Sequence, residues 1–167
     1  AEVLDTFDVI TLGDTPAQSL PALEALEAWV AGGGLLVLPG GASAEANLKG
    51  LPEALTPVTL EGVVLMQSAP SLEALGGEPL PAGSTLLAAK GQVKQGRVLA
   101  QVGDVPLAVL QSFGQGRVLF LAFDPSVQPL AGWAGLPQLW KELLVQSLPG
   151  YVVPTVAQPP YGVAPFG

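Results

Sequence analysis

Two aspartates, Asp14 in TLGDTP and Asp124 in LAFDPS, each follow closely on an apolar run. Carboxylates at the ends of buried strands can line one crevice at the carboxyl edge of an open α/β sheet, where the ligands of such sheets collect. With no histidine or cysteine beside them they would make a poor zinc site and at most an oxygen-rich calcium or magnesium site. Asp next to Thr-Pro or Pro-Ser also forms an Asx-type turn, and this local role takes precedence, so no metal is assigned. The run LLVLPGGAS offers a second kind of chemistry. Gly40 and Gly41 could present backbone N–H groups to an anion or a carbonyl oxygen, but two glycines also let a buried strand end sharply, and that reading is preferred. Ser43 has no base in reach of the pattern and is assigned to a cap or turn, not to a nucleophile. Trp133, in the glycine-rich link PLAGWAGLP, is the tryptophan placed for an exposed, carbohydrate-type contact; Trp140 falls on an apolar stripe and is assigned to the core. The candidate ligand-binding set is therefore Asp14, Gly40, Gly41, Ser43, Asp124 and Trp133, with no catalytic residue among them.

What the chain lacks is as informative. It has no cysteine and no histidine. Disulfides, thiolate nucleophiles and thiolate-held zinc are excluded, and the commonest general base and metal ligand is missing. Fourteen acidic against six basic residues give a net charge of -8, with no basic cluster. That balance repels phosphate backbones and anionic membrane surfaces and argues against a nucleic-acid binder. No apolar run approaches the roughly 20 residues that cross a bilayer, so no direct membrane insertion is expected of this segment. No cofactor is implied. Gly114-Gln115-Gly116-Arg117 lacks the Lys-Ser/Thr ending of a phosphate loop and precedes a strand, so it is read as a hairpin turn.

The elements that must position these residues follow from periodicity. Residues 7–12 (FDVITL) form a β-branched apolar run closed by Gly13-Asp14 and read as a buried strand. Leu20, Leu23, Leu26 and Val30 recur at helical spacing, and Gly32-Gly33-Gly34 ends that helix. LLVLP is a second buried strand, and a strand-helix-strand unit of this length makes a right-handed parallel crossover. Residues 51–60 are broken by proline, 63–66 are briefly apolar, and 71–75 allow a turn or two of helix. RVLAQV (97–102), PLAVLQ (106–111) and RVLFLAF (117–123) are separated by short glycine-containing gaps and predict an antiparallel meander. Leu136, Leu139, Trp140, Leu143 and Leu144 stripe a last helix over 137–148. Residues 1–150 are one α/β domain, and 151–167 are an uncharged, proline-rich tail or linker. Val37, Leu119 and Leu121 are placed in the sheet core.

FDVITLGDTP, AWVAGGGLLVLPGG, AVLQSFGQGRVLFLAFDP and WAGLPQLWKELL together resemble the class I glutamine amidotransferase-like superfamily, and specifically its non-catalytic members, over roughly residues 5–148. Similar domains occur in bacterial membrane-anchored proteins, in ThuA-like proteins and as the trimerisation domain of certain β-galactosidases. The resemblance implies a three-layer α/β fold with a mainly parallel, flavodoxin-like sheet extended by an antiparallel hairpin. It also implies that a first strand and helix are missing, either from the fold or because the chain is a piece of a longer protein. A catalytic member needs a cysteine on a strained strand-to-helix turn and a histidine to activate it, and neither is present. The expectation is a non-enzymatic interaction or scaffolding domain of a larger bacterial protein. Its partner would be another protein or the remainder of its own longer chain, and an envelope-associated location is favoured over a cytoplasmic one. The alternative is a module that binds or hydrolyses a small, sugar-like polar ligand in a carboxylate-lined crevice.

Overall fold

The structure is a computed structural model that describes residues 9–12 and 20–148. Asp14 and the proline-rich segment 151–167 lie outside the described residues. In chain order the elements are β1 (Val9–Thr11), α1 (Leu20–Ala31), β2 (Leu35–Leu38), a 3-10 turn (Gly41–Ser43) running into α2 (Ala44–Leu48), and a second 3-10 turn (Glu53–Leu55). They continue as β3 (Val58–Met66), α3 (Pro70–Gly76), β4 (Leu86–Val93), β5 (Arg97–Val102), β6 (Val105–Phe113), β7 (Gly116–Leu121) and α4 (Leu136–Ser147).

Five strands form one sheet in the order β1-β2-β7-β6-β5, and β3 and β4 form a separate two-stranded ribbon. The middle strands are the apolar ones. Every residue of β2 is buried, as are the last four of β7 and the first seven of β6. Strands covered on both faces read as continuous apolar runs rather than alternating ones, which is why LLVL, VLFL and VPLAVL sit here. Helix α1 packs Leu26, Trp29 and Val30 inward, a spacing of three and four residues that puts them on one stripe, and lies against β7. Helix α4 buries Leu139 and Leu143 and packs on α3, which also reaches β5. The ribbon is tied to the sheet through β4, which lies against β6, and through a hydrogen bond from the Ala89 N–H to the Ala122 carbonyl (2.7 Å).

The expected three-layer, mainly parallel, flavodoxin-like sheet is corrected by the strand pairing. Among the described residues only β1 with β2 and β2 with β7 run parallel. The pairs β3-β4, β5-β6 and β6-β7 are all antiparallel. The reason is loop length: β5 to β6 and β6 to β7 are joined across Gly103-Asp104 and Gly114-Gln115, and connections that short can only reverse the chain. The hairpins are also not an appendage. Strand β7 is the middle strand of the larger sheet, so the meander supplies its centre.

Candidate functional site

The parallel part of the sheet brings the carboxyl ends of β1, β2 and β7 to one edge, and a cavity of about 380 Å³ opens there. Its wall includes Thr11 and Leu12 leaving β1, Pro39 leaving β2, and Asp124, Pro125 and Ser126 beyond β7. Asn47 from α2 and Trp140 from α4 complete it. The Leu12 N–H donates to the Val37 carbonyl (3.0 Å), which holds the β1 exit against β2.

Beside this cavity the Gly40-Gly41 turn fastens the end of β2 to the end of β7. The Gly40 N–H donates to the Phe123 carbonyl (3.1 Å) and the Gly41 N–H to the Ala122 carbonyl (2.8 Å). Both groups that could have met an anion are therefore occupied by backbone. Glycine is required at both positions. A Cβ on Gly40 would run into the Leu121 carbonyl and the backbone of Ala122, while Gly41 has φ +69, a conformation that side chains disfavour.

Asp124 is half-buried on the cavity wall. Its Oδ1 accepts from the Ser126 N–H (2.9 Å) and the Ser126 hydroxyl (2.6 Å), an Asx-type turn that orders the segment after β7. Its Oδ2 has no partner among the described residues. Asn47 is 4% exposed, and its Nδ2 donates to the Pro39 carbonyl (3.0 Å). Its Oδ1 is buried with no hydrogen-bond partner among the described residues. Because the Pro39 carbonyl can only accept, that bond fixes which end of the amide is the nitrogen and leaves the oxygen as the unmatched end.

The other candidates fall elsewhere. Asp14 lies outside the described residues, so its expected company with Asp124 is not seen. Ser43 occupies the N-cap position of α2, but its side chain makes no capping hydrogen bond, because its backbone is already helical and continues the preceding 3-10 turn. Trp133 is 4% exposed, which corrects its assignment to the surface. Its indole N–H donates to the Pro79 carbonyl (2.9 Å), and its ring fills space that a Cβ on Gly76 or Gly135 would occupy. Trp140, assigned to the core, is the tryptophan that reaches the cavity, where it is only partly buried. Sequence reasoning reads Ser126 only as part of the Asp-Pro-Ser turn and not as cavity wall, and it misses Asn47, for which AEANLKG carries no signal. Among the described residues no group of three or more acidic side chains is placed to hold a metal ion.

No protein-family profile and no curated protein matches the chain. Solved structures do. The chain is similar to the cytoplasmic protein STM1381 of Salmonella typhimurium LT2, with a TM-score of 0.66 and 22% identity over 88% of this chain and 74% of that one. It is similar to the cytoplasmic protein STM3548 of Salmonella typhimurium, with a TM-score of 0.65 and 21% identity over 86% and 72% of the two chains. It also matches a domain-sized part of the GH42 β-galactosidase Gan42B of G. stearothermophilus, with a TM-score of 0.52 and 13% identity over 86% of this chain and 22% of the enzyme. At such identities the likeness is one of fold. The resemblance to a β-galactosidase domain stands at that level. The amidotransferase and flavodoxin-like assignments find no support in any of these matches and are withdrawn. So is the preference for an envelope-associated location, since both Salmonella structures are of proteins named as cytoplasmic.

Proposed function

We propose that this chain is a non-catalytic assembly domain that docks another polypeptide, in the first instance a second copy of itself, along β3. The observation that carries this reading is the outer face of the ribbon. Val63 and Leu65 are 61% and 67% exposed, and as residues two apart on a strand they point the same way. Strand β3 pairs only with β4 among the described residues, so its other edge keeps unpaired backbone donors and acceptors. An apolar pair beside an open strand edge is the usual template for strand addition or face-to-face docking. Antiparallel pairing of β3 with its own copy is self-complementary, as a two-fold interface requires. The absence of cysteine and histidine from the chain argues for binding rather than catalysis.

Sedimentation velocity over a range of protein concentrations tests it. The parent should sediment increasingly as an oligomer as concentration rises. The double variant Val63→Glu, Leu65→Glu should stay monomeric while keeping the parent's circular dichroism spectrum, since both side chains are exposed in the single chain. A parent that remains monomeric throughout, or a double variant that associates as the parent does, refutes the reading.

A further inference from the structure

We propose that the cavity at the carboxyl edge of the sheet binds a neutral, hydroxyl-rich ring of monosaccharide or cyclitol size. The argument begins with Asn47. Burying an amide oxygen without a partner is costly, and native proteins seldom leave one so. Here Oδ1 is held in place by the bond from Nδ2 to the Pro39 carbonyl, and Asn47 and Pro39 both line the cavity. Oδ1 has almost no exposed surface, so a ligand hydroxyl that donates to it and removes the penalty must first part α2 slightly from the end of β2.

The second acceptor is Asp124. Its Oδ1 is used by Ser126, which fixes the carboxylate in the wall and leaves Oδ2 for a further donor. Neither Lys nor Arg lines the cavity, so an anionic ligand would meet the charge of Asp124 uncompensated. The polar points come from separate elements: Thr11 at the end of β1, Asn47 on α2, and Asp124 with Ser126 after β7. They surround an apolar lining to which Trp140 contributes an aromatic ring. A single ammonium group could donate to several of these points but is too compact to cover the apolar lining as well. A ring with hydroxyls around its rim and a C–H face against the indole uses them together. The volume of about 380 Å³ suits a single ring of that kind. This site shares no residue with the exposed face of β3 and does not depend on the assembly reading.

Trp140 provides the readout, because Trp29 and Trp133 are 8% and 4% exposed while Trp140 stands at the cavity. Glucose, galactose, mannose and myo-inositol are titrated against tryptophan emission and by saturation-transfer NMR, with ethanolamine and inorganic phosphate as the cationic and anionic arms. At least one neutral ring should bind with a Kd on the order of 1 mM. Asp124→Asn keeps the Oδ1 acceptor of the turn but replaces the free acceptor with an NH2 group, and should weaken binding about tenfold. Trp140→Leu, followed by NMR, should weaken it similarly by removing the ring, and serves as the test should the Asp124 variant misfold. The proposal is overturned if no neutral ring binds up to about 50 mM, if ethanolamine or phosphate binds in preference, or if the folded variants bind as the parent does.

Discussion

Replacing Gly40 with alanine attacks the joint between β2 and β7 where the parallel half of the sheet ends. The added Cβ would lie 2.5 Å from the Ala122 carbonyl carbon and 2.6 Å from its oxygen, and against the Leu121 carbonyl. All three atoms are backbone of residues with no solvent exposure, so none can swing aside. Either the end of β7 shifts or the turn lifts away. Lifting breaks the bonds from Gly40 to Phe123 and from Gly41 to Ala122, and Ala122 also accepts from Ala89, so the ribbon is pulled as well. Two hydrogen bonds at about 0.5–1.5 kcal/mol each, with packing strain of about 1–3 kcal/mol, give a loss of roughly 2–6 kcal/mol. For a urea dependence of about 2 kcal/mol per molar, the unfolding midpoint should fall by on the order of 1–3 M. Gly41→Ala is the internal control. Its added Cβ meets the Asp124 Cβ at 3.3 Å, a tight contact relieved by a shift of a few tenths of an ångström, and its main cost is the left-handed backbone, about 1–2 kcal/mol. Urea unfolding followed by circular dichroism should therefore rank Gly40→Ala as the more damaging change. If the order is reversed, or if Gly40→Ala unfolds at the parent midpoint, the joint does not carry the load assigned to it.

Leu119→Ala, at the centre of the middle strand with no exposure, should cost about 2–5 kcal/mol by the same assay, while Val127→Ala, exposed and away from the β3 face, should stay within about 0.5 kcal/mol. Trp133→Phe keeps most of the ring but strands the Pro79 carbonyl, and should lower stability by about 1–2 kcal/mol; Trp133→Ala empties the slot beside Gly76 and Gly135 and should cost about 3–5 kcal/mol. Asp124→Asn should hold thermal stability within about 1 kcal/mol, because an amide oxygen can accept the same two bonds from Ser126; a larger loss would mean that the charge, not the turn, is what the fold uses.

The parts of this fold that could be read from sequence are those whose burial is uniform or periodic. LLVL, the meander strands and the stripe of α4 were placed within a residue or two, because a strand covered on both faces is apolar throughout and a helix on a sheet is apolar every three or four residues. Strand β4 was missed because LLAAKGQV mixes alanine, glycine and lysine, residues that seldom mark a strand, and its place is set by β3 and by the hydrogen bond from Ala89 to Ala122. Strand β3 was seen only as a short run because much of it faces solvent, so neither a continuous nor an alternating apolar pattern survives.

The tryptophans show why the site was harder to read than the frame. A ring in a glycine-rich link looks exposed, yet Gly76 and Gly135 are what make room for Trp133 to enter the core. A ring on an apolar stripe looks buried, yet Trp140 is in the second turn of α4, at the carboxyl edge of the sheet where the cavity opens. In both cases the side chain's fate is decided by what the neighbouring element offers, a vacancy in one and an edge in the other. Asn47 extends the point. Its amide nitrogen is satisfied by a carbonyl eight residues back, and its oxygen is left unmatched only because α2 packs over the end of β2. A site assembled from the ends of three strands and two helices has no local signature in any one of them. What the sequence does disclose is the scaffold that brings those ends together, and the two glycines that let them meet.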